Sequence, residues 1–232
     1  MALQNHKIEE NPVRLFFSAL CPASRKIRMI LGEMGIDHIA YEERFVSKSD
    51  HLRKVNYEAT VPVLVMGGAT LVREYAIQEF LGDTPDGKAL VGETASERAE
   101  VRRLASWFDQ KFSLEITVPV MEEKVLKRVK GRHNPNSTLL KEARHNLYNH
   151  MDYISWLVDR RNWLAGESLS LADLAAASHL SCLDYLGDVP WSRYSAAKEW
   201  YVRIKSRPSF RPILMETFVG LVPAPHYRLL DF

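Results

Sequence analysis

Cysteine is scarce in this 232-residue sequence, which contains only Cys21 and Cys182. Two cysteines cannot build the dense disulfide framework of small secreted domains, and they fit a reducing compartment. No run of about eighteen apolar residues occurs, so we expect no membrane-spanning helix and no direct membrane insertion. The polar leader, residues 1–12, lacks the apolar core of a secretory signal peptide. Together these absences predict a cytoplasmic protein.

A strong excess of charge is also absent, because 31 basic residues are balanced by 29 acidic ones. Nucleic-acid binding usually requires a pronounced positive field, so we expect no nucleic-acid partner. The histidines lack the spacing of metal ligands, and we expect no metal site. One basic run stands out, and it is typical either of a solvated helix face or of a contact with an acidic partner surface. It contains Lys124, Lys127, Arg128, Lys130 and Arg132.

The clearest strand pattern lies between residues 61 and 72. Val61 to Met66 is an apolar run, Gly67-Gly68 is a turn signal, and Thr70 to Val72 resumes the extended pattern. This order predicts a β-hairpin. Pro62 has no N–H to donate to a strand ladder, so it must lie at the start of a strand, on an edge, or in a special turn such as a cis peptide.

Strand and helix patterns alternate around the hairpin. Residues 13–17 are rich in strand formers, Pro22 suits the first position of a helix that Gly35 ends, and residues 36–42 form a second short strand. Another helix begins near Glu74. We therefore expect the order β-α-β-α-β-β-α, with the first two strands parallel and the hairpin antiparallel beside them.

The strand signal ends at residue 82, and apolar residues then recur at helical spacing. Ser170 and Asp173 have the spacing of a helix N-terminal cap. Near the end of the chain, Pro223 and Pro225 stiffen the backbone, so we expect the last segment to be extended. The predicted organisation is a polar leader 1–12, an αβ domain 13–82, a linker 83–95, an all-helical domain 96–218 and an extended tail 219–232.

Two sets of motifs resemble the glutathione S-transferase superfamily. Cys21-Pro22-Ala23-Ser24 and Val61-Pro62 lie in the αβ domain, and Trp163-Leu164-Ala165-Gly166 and Ser170-Leu171-Ala172-Asp173 follow in the helical domain. The resemblance covers about residues 13 to 210. It implies an α+β protein in which a thioredoxin-like N-terminal domain precedes an all-α C-terminal domain. Because most members are two-fold dimers, it also implies a homodimer.

The resemblance further implies a glutathione-like site. Cys21 has the position of the serine or cysteine that meets the glutathione sulfur, and a helix dipole with Arg25, Lys26 and Arg28 nearby would favour its thiolate. The alternative is an inherited, unused cysteine. Members that bind glutathione usually have serine or threonine at the position of Tyr75. Because a tyrosine there should weaken glutathione binding, we expect no glutathione cofactor and no catalytic residue. The alternative is an active glutathione transferase that uses Cys21. The site-like residues are Cys21, Val61, Pro62, Glu74 and Tyr75.

The C-terminal segment resembles a branch of the superfamily whose members keep the transferase fold and bind FtsZ in bacterial cell division. This implies that FtsZ filaments are the partner at the division site, where they are bundled, curved or stabilised. A partner in the transcription machinery is a third possibility. The predicted partner-binding residues are His226, Tyr227, Arg228, Leu229, Leu230, Asp231 and Phe232. The alternative is that this tail folds back over its own helical domain.

Overall fold

The N-terminal part of the chain is built on a small mixed sheet. The computed structural model describes residues 12–132, 134–230 and 232. Within these residues, four strands pair in the order β2-β1-β3-β4. They are β1 (Arg14–Phe17), β2 (Ile39–Glu42), β3 (Val63–Met66) and β4 (Ala69–Val72). β1 and β2 are parallel, and β3 is antiparallel to both β1 and β4, which confirms the predicted topology.

Three helices accompany the sheet: α1 (Pro22–Glu33), α2 (Asp50–Val55) and α3 (Glu74–Gly82). α1 begins at Pro22, as predicted, because the first turn of a helix has no partner for the N–H that proline lacks. Ile27 and Leu31 are buried on its inner face. The helix ends before Gly35, whose φ of +65° is readily adopted only by glycine.

The segment between the two domains is more than a connector. Lys88–Leu90 forms a short 3₁₀ helix, and Leu90 and Val91 are buried in the main hydrophobic core. The breaker residues that precede it, from Asp83 to Gly87, end α3 as the sequence indicates. The linker therefore contributes apolar contacts to the junction between the domains.

The C-terminal part is helical. α4 (Ala95–Ser106), a π-helical stretch (Trp107–Thr117), α5 (Val118–Met121), a second π-helical stretch (Glu122–Leu126) and α6 (Lys127–Val129) follow one another without a break. We call residues 95–129 the long helical run. α7 (Ser137–Val158), α8 (Leu171–Tyr185), α9 (Ser195–Lys205) and α10 (Arg211–Met215) complete the domain. In the part of the chain that the structure describes, no helix is long and apolar enough to cross a membrane.

α8 lies at the centre of the molecule. All of its residues are buried, and it packs against both α1 of the αβ domain and α4. The main hydrophobic core consequently includes residues of both domains, whereas a smaller cluster around Phe16, Leu52 and Val63 covers the other face of the sheet. The two domains thus share one core.

Candidate functional site at one edge of the sheet

The register of the sheet brings three separate parts of the chain to one edge. Phe16 pairs with Val63 across β1 and β3, and Val63 pairs with Val72 across β3 and β4. The end of β1, the start of β3 and the end of β4 therefore lie side by side. From this edge the chain continues into the predicted glutathione-like positions, which are Cys21, Val61, Pro62, Glu74 and Tyr75.

Cys21 is the N-terminal cap of α1, and its side chain is partly exposed. Its N–H donates to the Ser18 carbonyl at 3.1 Å. The loop is fixed further by Ser18, whose N–H donates to Ser24 Oγ at 3.2 Å and whose hydroxyl donates to the Glu43 carbonyl at 2.7 Å. The thiol is thus presented at the positive end of a helix dipole.

The cations expected beside this thiol are engaged elsewhere. Arg25 is fully buried; its Nε donates to the Ala19 carbonyl at 2.7 Å and its Nη1 donates to Ser181 Oγ at 2.9 Å. Arg28 pairs with Glu216. Because α1 packs against α8, side chains on its inner face join the domains instead of facing the site.

Lys26 is the centre of a buried polar cluster between the domains. Its Nζ donates to Asp109 Oδ2 at 2.5 Å and to Gln78 Oε1 at 3.0 Å, and it lies 3.6 Å from Glu74 Oε1. Burial would raise the pKa of Asp109, but Lys26 and His179 outweigh it and hold that pKa below its usual value. Glu74, one of the predicted site residues, therefore interacts with an internal ammonium group.

A different lysine lies near the thiol. Burial lowers the pKa of Lys48 below its usual value, while the opposing influence of Cys21 and Glu43 would raise it. Lys48 follows β2 in the loop that Glu43 anchors, since the Glu43 N–H donates to the Phe17 carbonyl at 2.7 Å. The loop after β2 thus supplies a cation that the sequence alone did not indicate.

The hairpin and the start of α3 complete the edge. The Val61–Pro62 peptide bond is cis, one of the arrangements that the sequence allowed. Asn56 Nδ2 holds the preceding loop by donating to the Thr60 carbonyl at 3.0 Å. Tyr75 follows in the first turn of α3 with 62% of its surface exposed. This position therefore carries a large, solvent-exposed ring in place of a short hydroxyl side chain.

A cleft of about 560 Å³ adjoins Ser18 at the same edge. The loop after β2 lines it with Phe45 and Val46, the long helical run with Val129, and the segment after α10 with Phe218. Phe45 and Phe218 meet edge to face, with ring centroids 5.7 Å apart. A mixed cleft of this size suits a small ligand or an apolar segment of another protein.

The C-terminal tail is folded back on the helical domain, which corrects the expectation that it is extended. The Ala224 N–H donates to the Tyr185 carbonyl at 2.9 Å, and Tyr227 is fully buried against the Tyr185 ring with its hydroxyl donating to the Ile213 carbonyl. The prolines leave enough N–H groups to make these bonds. Tyr227 is consequently a core residue in this conformation and offers no surface to a partner.

Two charged residues of the helical domain, Asp184 and Lys205, hold the parts of the tail that precede and follow Tyr227. His226 Nε2 lies 2.8 Å from Oδ1 of the buried Asp184. Lys205 Nζ donates to the Leu229 carbonyl at 2.6 Å and lies 4.2 Å from the centroid of the Phe232 ring.

Between these anchors the tail presents two apolar side chains, because Leu229 and Leu230 are 51% and 43% exposed. Arg228 Nε donates to the Leu214 carbonyl at 3.2 Å. Asp231, which the sequence also assigned to the partner-binding set, lies outside the described residues. The exposed pair Leu229 and Leu230 is called the leucine pair below.

Comparison with known proteins identifies the family. Residues 20–84 match the glutathione S-transferase N-terminal domain, and residues 117–208 match the C-terminal domain. The sequence is 42% identical over 217 residues to FtsZ-localized protein A of Caulobacter vibrioides, an alignment that covers 92% of this chain and 95% of the relative. The chain belongs to the glutathione S-transferase family.

Two solved structures resemble this chain along nearly its whole length. A glutathione S-transferase from Rhodospirillum rubrum is 47% identical with a TM-score of 0.91, and the match covers 95% of this chain and 100% of that one. FzlA from C. crescentus is 41% identical with a TM-score of 0.90, covering 96% and 100%. The predicted family and the two-domain fold are confirmed.

The sequence did not indicate three charged residues that lie at or near the site and the tail: Lys48, Asp109 and Asp184. Lys48 gave no signal because a single lysine in a loop is ordinary. Asp109 lies on the long helical run among apolar neighbours at helical spacing, which is a weak sign of a buried carboxylate. Asp184 likewise lies in the apolar helix α8. A carboxylate within an apolar helix face could have marked both.

Proposed function

We propose that this chain is a non-enzymatic member of the glutathione S-transferase family that binds FtsZ filaments and assists cell division. The observation that carries the proposal is the similarity to FtsZ-localized protein A along nearly the whole chain. That protein's name associates it with FtsZ. The same association would bring this chain to the division site.

The leucine pair is the proposed centre of the FtsZ-binding surface. Burying a leucine side chain yields about 1.5–3 kcal/mol, whereas ordering a loose backbone costs about 1–2 kcal/mol per residue. In this tail the ordering cost is already met within the fold, because His226, Tyr227 and the Leu229 carbonyl are bonded to the helical domain. A preordered apolar pair binds better than a free tail of the same sequence.

Filament bundling or curving requires more than one binding surface. We infer that the protein acts as a homodimer, in which two leucine pairs face two filament subunits or two filaments. Two linked sites on a polymer raise the apparent affinity by avidity without any new contact. The same arrangement stabilises filaments against disassembly, since binding to the assembled form favours it.

Co-sedimentation with FtsZ filaments assembled with GTP tests the proposal. The wild-type protein is expected to pellet with filaments and to stay in the supernatant when GTP is omitted. Leu230→Glu should weaken binding by about ten-fold or more, because it removes an apolar contact and buries a charge. Leu114→Glu is the matched control, since Leu114 is 71% exposed on the long helical run and distant in sequence from the tail. Normal pelleting of Leu230→Glu would place the binding surface elsewhere.

The second candidate function is glutathione-dependent transfer through Cys21. It is favoured by the position of the thiol at the start of α1, at the sheet edge to which the register of β1, β3 and β4 also brings the segments that contain Val61 and Glu74. Retention on immobilised glutathione, together with a conjugation activity that Cys21→Ala abolishes, would support it. If Cys21→Ala instead leaves FtsZ co-sedimentation unchanged and no retention occurs, the filament-binding function stands alone.

A further inference from the structure

A groove of about 270 Å³ lies in the helical domain, and none of its lining residues belongs to the sheet-edge site or to the tail. Its floor is aliphatic and comes from three elements: Ile116 and Val120 of the long helical run, Leu147 of α7 and Leu183 of α8. All four side chains are buried in the main core. Because packed helices form its floor, the groove is a fixed feature of the fold.

The rim of the groove is positively charged. Lys124 lies on one side, Lys141 and Arg144 lie on the other, and Asp188 is the single carboxylate among the lining residues. Lys124 donates to Asp188 Oδ1. Within the described part of the chain, no carboxylate lies within salt-bridge distance of Lys141 or Arg144, and both side chains are exposed. The rim therefore attracts anions.

We propose that this groove is a docking site for an acidic peptide segment of a partner protein, with one large apolar side chain seated on the floor. Charge complementarity with the rim specifies the acidic residues. The volume is slightly below the range of about 300–1,000 Å³ that holds ordinary small ligands, and it suits one or two side chains. Specificity then comes from the apolar anchor and its acidic neighbours together.

One further contact favours a peptide over a lipid-like carboxylate. Asp188 Oδ2 is buried, and within the described residues it has no hydrogen-bond donor. A peptide supplies backbone N–H groups of the kind that this oxygen lacks. A fatty acid has no N–H group and would leave the oxygen unpaired.

The docking site is separate from the proposed FtsZ-binding surface, and its test does not depend on that function. The probe is a fluorescein-labelled peptide, acetyl-Asp-Glu-Phe-Leu-Asp-Glu, whose binding to the full chain is followed by fluorescence anisotropy. Saturable binding is expected, and it should weaken as salt is added. A peptide with lysine in place of every acidic residue should not bind.

Two pairs of charge reversals locate the site. Lys141→Glu with Arg144→Glu should weaken peptide binding by about ten-fold or more, because two attractive charges become repulsive. Arg53→Glu with Lys54→Glu is the matched control: both residues are exposed on α2, and the pair changes the net charge equally. The control should bind like the wild type.

Hydrogen exchange of the wild-type protein gives a second readout that needs no variant. Bound peptide should slow exchange around residues 116–124 and 140–147. Three results would overturn the proposal: no saturable peptide binding, equal weakening of peptide binding by both pairs of charge reversals, or slower hydrogen exchange only in other parts of the chain. If the wild type ignores the peptide but binds phosphatidylglycerol vesicles through Lys141 and Arg144, the rim contacts a membrane surface instead.

Discussion

Tyr75 is the residue at which the sheet-edge site departs most from a glutathione site. A short hydroxyl at the start of a helix can donate to a carboxylate that the first-turn N–H groups already attract. Tyr75 instead extends its ring into solvent, and Glu74 beside it faces Lys26 at 3.6 Å. Both features argue against a well-formed carboxylate site.

We therefore predict that calorimetry with millimolar glutathione shows no saturable heat for the wild-type protein. Tyr75→Ser should increase any residual affinity by about ten- to a hundredfold, the value of one charge-assisted hydrogen bond. Val222→Ser, at a position that is 90% exposed and outside the site, is the control and should leave glutathione binding unchanged. A wild-type dissociation constant in the range of tens of micromolar would contradict this prediction.

Glu33 provides a pH-dependent contact between the domains. Burial would raise the pKa of Glu33, but hydrogen bonds from Arg207 and Ser209 outweigh it and hold that pKa below its usual value of 4.5. Arg207 donates through Nε and Nη2 at 2.7 and 2.6 Å. Because the folded-state pKa is lowered, this contact stabilises the fold above pH 4.5, and the stabilisation is lost as the pH falls below that value.

Glu33→Gln should accordingly reduce the free energy of unfolding at pH 7 by about 1–2 kcal/mol. Urea denaturation of the wild type and of Glu33→Gln at pH 7 and near pH 3.5 measures the effect. The difference in free energy of unfolding between the two proteins should be smaller at the lower pH. A difference that stays constant across this range would show that the charge of Glu33 has no part in stability.

At the scale of whole elements, α1 and the segment before α10 approach each other at Gly32. A Cβ atom at this position would lie 2.8 Å from Ser209 Cβ and 3.0 Å from Ser209 Cα, closer than side chains tolerate. Glycine is thus required here by packing, although alanine is the better helix former by about 1 kcal/mol.

Gly32→Ala should lower the free energy of unfolding by about 1–3 kcal/mol, the usual cost of overpacking. Gly166→Ala is the matched control, because a Cβ there would meet nothing within 4 Å. The control should change stability by less than about 0.5 kcal/mol. If the two variants were equally stable in thermal or urea unfolding, Ser209 could move away from the added methyl group at no cost in stability, which would contradict the prediction.

Local patterns in the sequence predicted the strands and helices of the αβ domain well. Apolar runs and turn glycines marked β3 and β4 within two residues of their ends, and Pro22 marked the start of α1. The pattern could not show which charges become buried, since Lys26 and Asp109 are 83 residues apart and meet only when α1 packs on the long helical run. For the same reason the sequence left two paths open for the tail, extended or folded back on the helical domain: Tyr227 packs against Tyr185, a residue distant in sequence, and this contact decides for the folded-back path.

At the scale of the whole molecule, we expect exposed aromatic side chains to contribute to the contact in the proposed homodimer. Tyr57, in the loop before β3, is 99% exposed, and Trp156 on α7 is 48% exposed. Arg160 lies over the Trp156 ring at 4.6 Å. Tyrosine, tryptophan and arginine are the residues most enriched in the energetic centres of interfaces.

The expected dimer joins the αβ domain of one subunit to the helical domain of the other, so it contains each of these contacts twice. Burying an aromatic ring that is otherwise in water contributes about 1.5–3 kcal/mol, and the two-fold symmetry doubles that contribution. Light scattering should therefore give a mass of about twice the 26.6 kDa of the chain at micromolar concentration. Tyr57→Glu should shift the equilibrium toward the monomer by more than ten-fold, since two charges would be buried.

Val219→Glu is the control for the dimer experiment, because Val219 is also almost fully exposed but lies in the segment after α10, where it lines the cleft next to Ser18. It should remain dimeric. The Tyr57→Glu monomer should keep its leucine pair and bind single FtsZ filaments, yet it should no longer bundle them, because one surface cannot crosslink two filaments. A wild-type protein that is monomeric at 26.6 kDa, or a monomeric variant that bundles filaments normally, would contradict crosslinking by the dimer.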